Sequence, residues 1–222
     1  MINQALRLLV LAVGLSVMSV GIALSVHSRL GTTPISTFPL VLGYIFSLSV
    51  GTMTVLVNLA FVLAQILIRG RRFQPVQLFQ IPVTLVFGWL IDVAMHLTAG
   101  VTTDNYLLQW VVVLAGIVLM ALGIALQITA RTITLAGEGI VLAVSDELSR
   151  RSGGNPRYVF GNVKVVNDVT LVLTSVVLAL VFLGELAGVR EGTLAASLLI
   201  GPLVKRLVPV LAPFGRRALG NT

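Results

Sequence analysis

Apolar residues run through this chain in long blocks, not with the period of two or about three and a half that marks half-buried strands and amphipathic helices. Six blocks, at about 5–26, 50–68, 75–97, 106–130, 158–183 and 191–211, are long enough to cross the bilayer hydrocarbon as helices. Two further blocks, 34–48 and 135–148, reach only about fourteen residues each. Each is interrupted at its start: Gly31-Thr32-Thr33-Pro34 with Pro39 in one, Gly137-Glu138-Gly139 in the other. The pattern predicts an all-α polytopic membrane protein with six transmembrane helices plus two short re-entrant or broken helices. The first block follows one early Arg7 and lacks a small-x-small cleavage site, so it reads as a retained span, not a signal peptide.

The blocks repeat. Gly14, Met18, Gly21-Ile22-Ala23-Leu24, Arg29 and Thr32 recur as Gly116, Met120, Gly123-Ile124-Ala125-Leu126, Arg131 and Thr134, at a constant shift of 102. Gly51, Val55 and Val62-Leu63 recur as Gly161, Val165 and Val172-Leu173 at a shift of 110, with Asn58 facing Asp168. A longer polar loop, 146–157, absorbs the difference. The chain therefore divides into a first membrane repeat, 1–100, and a second, 101–222. With three crossings in each, the halves must be oppositely oriented, as in transporters built from inverted repeats. Glycines seven residues apart on the first and fourth spans let two helix backbones approach closely in lipid.

Composition settles the solvent. The chain is 57% hydrophobic and 10% charged, with a mean hydropathy of +1.03, more apolar surface than a soluble domain of this size can hide. The absence of cysteine excludes a disulfide framework and thiolate metal sites. A net charge of +7 reads as topology signal beside the spans and affinity for anionic headgroups; no motif points to nucleic acid. Six crossings place thirteen Lys and Arg on one side and two, Arg29 and Arg190, on the other; eight crossings give nine against six. The six-crossing arrangement, with both termini and the 69–74 and 149–157 loops cytoplasmic, follows from that split.

Charges at membrane depth are functional candidates. Lys164 and Asp168 lie one helical turn apart near the middle of the fifth span, matched by Thr54 and Asn58 in the first repeat. Two such polar stripes converge on the axis of an inverted repeat, or alternatively serve only packing. Glu138 opens the second short segment, and its counterpart is Ser36. A carboxylate there suits a coupling proton, or it pairs with Arg131 and steadies the break. With the Thr32 and Thr33 turn, these residues form the expected substrate pathway. Arg29 and Arg131 occupy matched positions as entrance candidates or as snorkelling anchors. Asp92 and His96 are one turn apart, but two ligands make no metal site, and the sequence implies neither metal nor cofactor. It carries no GxSxG or HExxH signature, so an enzyme is not expected.

The first helix ending GIAL, the following arginine and LGTTPISTFP turn, the span opening GTMTVLVN and the GWLID ending of the third span resemble the YczE/YyaS/YitT family of bacterial membrane proteins. That resemblance implies a multi-pass protein of the bacterial inner membrane acting in transport, and carries over no binding residues. The leading functional expectation is a secondary transporter or exporter of an unknown small-molecule substrate working by alternating access, with proton coupling as one option. The alternatives are a membrane-embedded substrate-binding subunit of an ATP-driven importer and a non-transporting membrane partner protein. Beyond the lipid bilayer, a homo-oligomer is the partner that the sequence allows.

Overall fold

The structure is a computed structural model that describes residues 2–219, with side chains described over 4–211. Eight α-helices follow one another: α1 (Ile2–His27), α2 (Pro34–Phe46), α3 (Val50–Arg69), α4 (Gln80–Leu97), α5 (Tyr106–Ala130), α6 (Ala136–Arg151), α7 (Phe160–Leu178) and α8 (Glu191–Leu219). No strand occurs among the described residues. Six helices are long and apolar enough to span a membrane, the fifth extended by a π-helical turn over Ala179–Leu183. At 1.5 Å per residue α2 and α6 reach only about 20–24 Å, short of a crossing.

Backbone geometry preserves the repeat. Arg29 and Arg131 both take the left-handed conformation, at φ 58° and 49°, ending α1 and α5 in the same way. The extended residues that then launch α2 and α6 match as well, Thr33 at φ −64°, ψ 152° and Leu135 at φ −62°, ψ 153°. So do those launching α3 and α7, Ser49 and Val159.

The four repeated glycines lie where α1 crosses α5. A Cβ on Gly21 would sit 2.7 Å from the Gly116 carbonyl oxygen, and one on Gly116 2.7 Å from that of Gly21. Gly14 and Gly123 approach each other in the same manner, at 3.0 and 2.6 Å. The pairing runs in opposite directions along the two helices, so α1 and α5 are antiparallel. Exchanging the halves maps the Gly14–Gly123 contact onto Gly116–Gly21. A twofold that does this lies perpendicular to both helices, which for spanning helices means in the membrane plane. The neighbours obey the same exchange: α1 packs on α4 as α5 does on α8, and α3 on α6 as α7 does on α2. Leu11, Leu15, Met18, Ile22, Ile117 and Met120 form the apolar core around this crossing.

The symmetry breaks in the packing of the outer helices. Helices α3 and α4 pack so tightly that Gly51 and Gly88 meet backbone to backbone, whereas nothing lies within 4 Å of a Cβ on Gly161, the counterpart of Gly51. Accordingly 33% of each of the α3 and α4 spans is buried, against 11% for α7 and 6% for α8.

Contacts between loops fix relative sidedness. The His27 ring meets the Met95 carbonyl at 3.1 Å, Arg29 bonds Asp104 at 3.0 Å, and the Gly192 amide donates to the Leu30 carbonyl at 2.8 Å. The 27–33, 97–105 and 184–190 segments therefore share one end, termed outer after the charge reading. At the opposite, inner end Arg69 pairs with Asp146 at 2.8 Å and Arg72 with Glu147 at 2.9 Å. The loop after α3 and the end of α6 thus lie on one side.

Candidate functional site

Helix α2 starts at depth and ends at the outer end, where Ser47, left-handed at φ 53°, turns the chain into α3. Helix α6 starts at depth and ends at the inner end. Their N-termini meet: a Cβ on Gly137 would collide with the Ile35 side chain and lie 4.0 Å from Asn58 Oδ1 on α3. Each chain segment enters as extended backbone and leaves as helix on the side it came from, which makes both elements re-entrant. The reason is local. Pro34 lacks an amide N–H and suits the first helical position, while the Thr33 hydroxyl accepts from the Ser36 amide and donates to Ser36 Oγ at 2.9 Å. Both N-termini present their partial positive ends to the same central region.

Around that junction the structure gathers most of the residues singled out from sequence. Asn58 is 9% exposed. Thr54 is buried, but its hydroxyl donates to its own helix at the Val50 carbonyl, 2.7 Å away. Lys164 Nζ contacts both Asp168 carboxylate oxygens, at 3.0 and 3.3 Å, half-buried on the inward face of α7. Glu138, in the first turn of α6, is half-buried, and α6 packs against α7, which carries Lys164 and Asp168. Among the described residues Glu138 makes no ion pair with Arg131, which is exposed. Thr32 is fully buried, and its hydroxyl lacks a hydrogen-bond partner. Asp92 serves as a cap: it accepts from the Gly51 amide at 2.8 Å and the Ser49 hydroxyl at 2.6 Å, closing the start of α3.

Two clefts flank the junction, related by the same exchange of halves. The outer one, about 620 Å³, is lined by Arg29, Gly31, Leu40, Tyr44 and the 183–190 segment. The inner one, about 150 Å³, is lined by Thr132, Ile133, Thr134, Leu142, Gln65 and the 76–80 segment. Ile133 and Leu142 are the repeat counterparts of Gly31 and Leu40. Arg29 lines the outer cleft, while Arg131 stands outside the inner one.

An amide clamp that sequence reasoning missed explains the difference in size. Gln65 is 1% exposed; its Nε2 donates to Gln80 Oε1 and to the Ala136 carbonyl, both at 3.2 Å, tying α3, α4 and the tip of α6 together. At the counterpart of Gln65 stands Ser175, whose hydroxyl reaches only its own helix, at the Leu171 carbonyl 2.7 Å away. No arm then bridges the outer cleft. The one signal in the sequence was a pair of uncharged amides, each inside an apolar block.

No curated protein and no solved structure matches the chain. A family model described as a family of unknown function, DUF6198, matches residues 5–209. The chain therefore belongs to this family.

Proposed function

We propose that this protein is a secondary transporter of a small molecule that works by alternating access, set in a bacterial inner membrane with both termini cytoplasmic. The observation that carries the reading is the pair of symmetry-related clefts of unequal size, about 620 and 150 Å³, on either side of two re-entrant helix tips. In an inverted-repeat carrier the two halves hold different conformations, and exchanging them closes one entrance as it opens the other. The outer cleft is the wider member here, and the Gln65–Gln80–Ala136 clamp narrows the inner one. The resemblance of the LGTTPISTFP turn and the neighbouring spans to the YczE/YyaS/YitT family is in keeping with this reading. Thr54, Asn58, Glu138, Lys164 and Asp168 then line the path between the clefts.

The chain contains no cysteine, which makes the test direct. Cysteines at Tyr44 and Leu142 report the outer and inner clefts through a membrane-impermeant maleimide applied from either side of oriented vesicles. Bridging cysteines at Tyr44 and Leu186 with a bifunctional maleimide should raise labelling at Leu142. Labelling at Leu142 that ignores the outer bridge means that the two clefts do not alternate and removes the reading.

A further inference from the structure

Three ionisable side chains lie on the elements that pack together at the central junction, and all of them come from the second repeat: Glu138 in the first turn of α6, and Lys164 and Asp168 on α7, which packs against α6. Their counterparts in the first repeat, Ser36, Thr54 and Asn58, are neutral. Lys164 is committed to Asp168 at 3.0 Å, so the carboxylate of Glu138 is left without a cation. The groups packed against α6 supply no other. On α3 the charged residue is Arg69, which is paired with Asp146 at the inner end; the turn before α7 brings Tyr158, beside Ser145, and Arg157, which is exposed at that inner end. The charges at the far end of α6, Asp146, Glu147, Arg150 and Arg151, are engaged with one another or with Arg69 and Arg72. The α2 tip, Pro34 to Thr37, carries none.

A second, independent feature points to an occupant. Asn58 is nine-tenths buried, its Oδ1 faces Gly137 beside Glu138, and it has no hydrogen-bond partner among the described residues. Its amide atoms are not sealed off, so a group entering the junction can meet both the donor and the acceptor.

From this arrangement we infer that Glu138 holds one exchangeable positive charge, either a proton or the ammonium group of a small amine, between Asn58 and the Lys164–Asp168 pair. An unneutralised carboxylate at membrane depth is costly. The first turn of α6 offsets part of that cost with its free amides, and one monovalent cation removes the rest. The Lys164 ammonium already shows the chemistry that the site accepts, since it neutralises one of the two carboxylates from the side. For a proton, the transfer is from bulk water to a Glu138 oxygen, and the reverse on release. The inference rests on the alternating-access reading for its direction across the membrane, but charge binding itself can be read separately.

The experiment uses the full chain in proteoliposomes on a solid-supported membrane, which records charge moved on binding. A drop in external pH at constant salt, or replacement of sodium chloride by ethylammonium chloride at constant pH, should give a transient current. The arm that responds identifies the occupant as proton or ammonium. The current should vanish in Glu138→Gln and persist in Glu138→Asp and in Glu147→Gln, at the far end of α6 and outside both clefts. In Asp168→Asn the freed Lys164 should swing to Glu138, fill the site from within and abolish the current; Lys164→Gln should enlarge it. If Glu138→Gln fails to fold, this Asp168 and Lys164 pair decides the matter. Silence in both arms of the wild type, an unchanged current in Glu138→Gln, or an unchanged current in Asp168→Asn overturns the inference. The maleimide labelling at Leu142 is unaffected by such a failure, so the two proposals fall separately.

Discussion

Replacing Gly21 with alanine perturbs the contact that joins the two halves. The new Cβ would lie 2.7 Å from the Gly116 carbonyl oxygen, 2.7 Å from Met120 Cγ and 2.8 Å from the Met120 amide nitrogen. Ordinary contact begins near 3.4 Å, so the shortfall is about 0.7 Å. Met120 Cγ can swing aside, but the two backbone atoms cannot, and α1 and α5 must part. Overpacking of this kind costs about 1–3 kcal/mol, and a rigid backbone on both sides puts Gly21→Ala near the upper end. Because Gly116 faces Gly21 at the same crossing, the parting that admits one methyl makes room for the other. The double variant should therefore cost less than the sum of the singles, by an interaction of at least about 0.5 kcal/mol. Gly161→Ala is the control: nothing lies within 4 Å of its Cβ, and alanine in a helix gains about 0.5–1 kcal/mol over glycine. Equilibrium unfolding in mixed micelles with increasing SDS, followed by circular dichroism, measures all four proteins. A Gly21→Ala protein as stable as wild type, or strict additivity in the double variant, would refute the argument that backbone contact at this crossing holds the halves together.

The other expectations are briefer. Single cysteines at Gly70 and Gly153 should label from one side of the membrane, and those at Gly100 and Ala187 from the other; labelling of 70 and 100 from the same side would break the six-crossing topology. Asp92→Ala removes the acceptor for the Gly51 amide and Ser49 hydroxyl and should cost about 1–2 kcal/mol in the same unfolding assay; no loss would mean that water replaces the cap. Hydrogen bonds from Arg150 and Arg151 hold the Glu147 carboxyl down at about 2, from an ordinary 4.5. Its stabilising contribution is complete above about pH 4.5 and disappears as pH falls towards 2, so the stability difference between wild type and Glu147→Gln should close across that window. A difference that stays constant across it would show that Glu147 contributes nothing through its charge. Gln80→Leu unties the inner clamp and should speed maleimide labelling at Leu142, and an unchanged rate would deny the clamp its gating part.

Much of the fold was legible because lipid imposes simple rules. Backbone groups must be satisfied within each span, so long apolar blocks translate directly into helices. The repeat was legible because glycines, a left-handed arginine and turn residues hold to fixed geometry while apolar positions drift. The matched φ values of Arg29 and Arg131 are the structural counterpart of that shared frame. The meeting of the α2 and α6 tips was not legible, since a twofold relates the two tips without fixing how far each lies from its axis; the Ile35–Gly137 contact shows it. Gln65 and Gln80 were illegible for a physical reason. A buried glutamine is tolerated wherever it finds partners, and those partners, Ala136 among them, are far off in sequence. The looseness of α7 against α8 was equally hidden, because Gly161 and Gly51 are the same residue in the same frame with opposite surroundings.

That last contrast bears most on mechanism. If sequence symmetry alone governed packing, α7 would close on α8 as α3 closes on α4, and the two clefts would be equal. They differ because small substitutions between the repeats bias each half towards a different packing: Ser175 in place of Gln65 removes an arm from the outer cleft, and Glu138 in place of Ser36 concentrates charge on one tip. Packed interfaces switch between discrete arrangements and do not deform continuously, and under the proposed alternating access the second state is the one in which the halves exchange roles. Reaching it requires the Gln65–Gln80 bonds to break and the α3–α4 contact at Gly51 and Gly88 to loosen, while α7 and α8 close. The exposed faces of α7 and α8 leave room for that closure, and the tight α1–α5 crossing supplies the fixed axis about which it can occur.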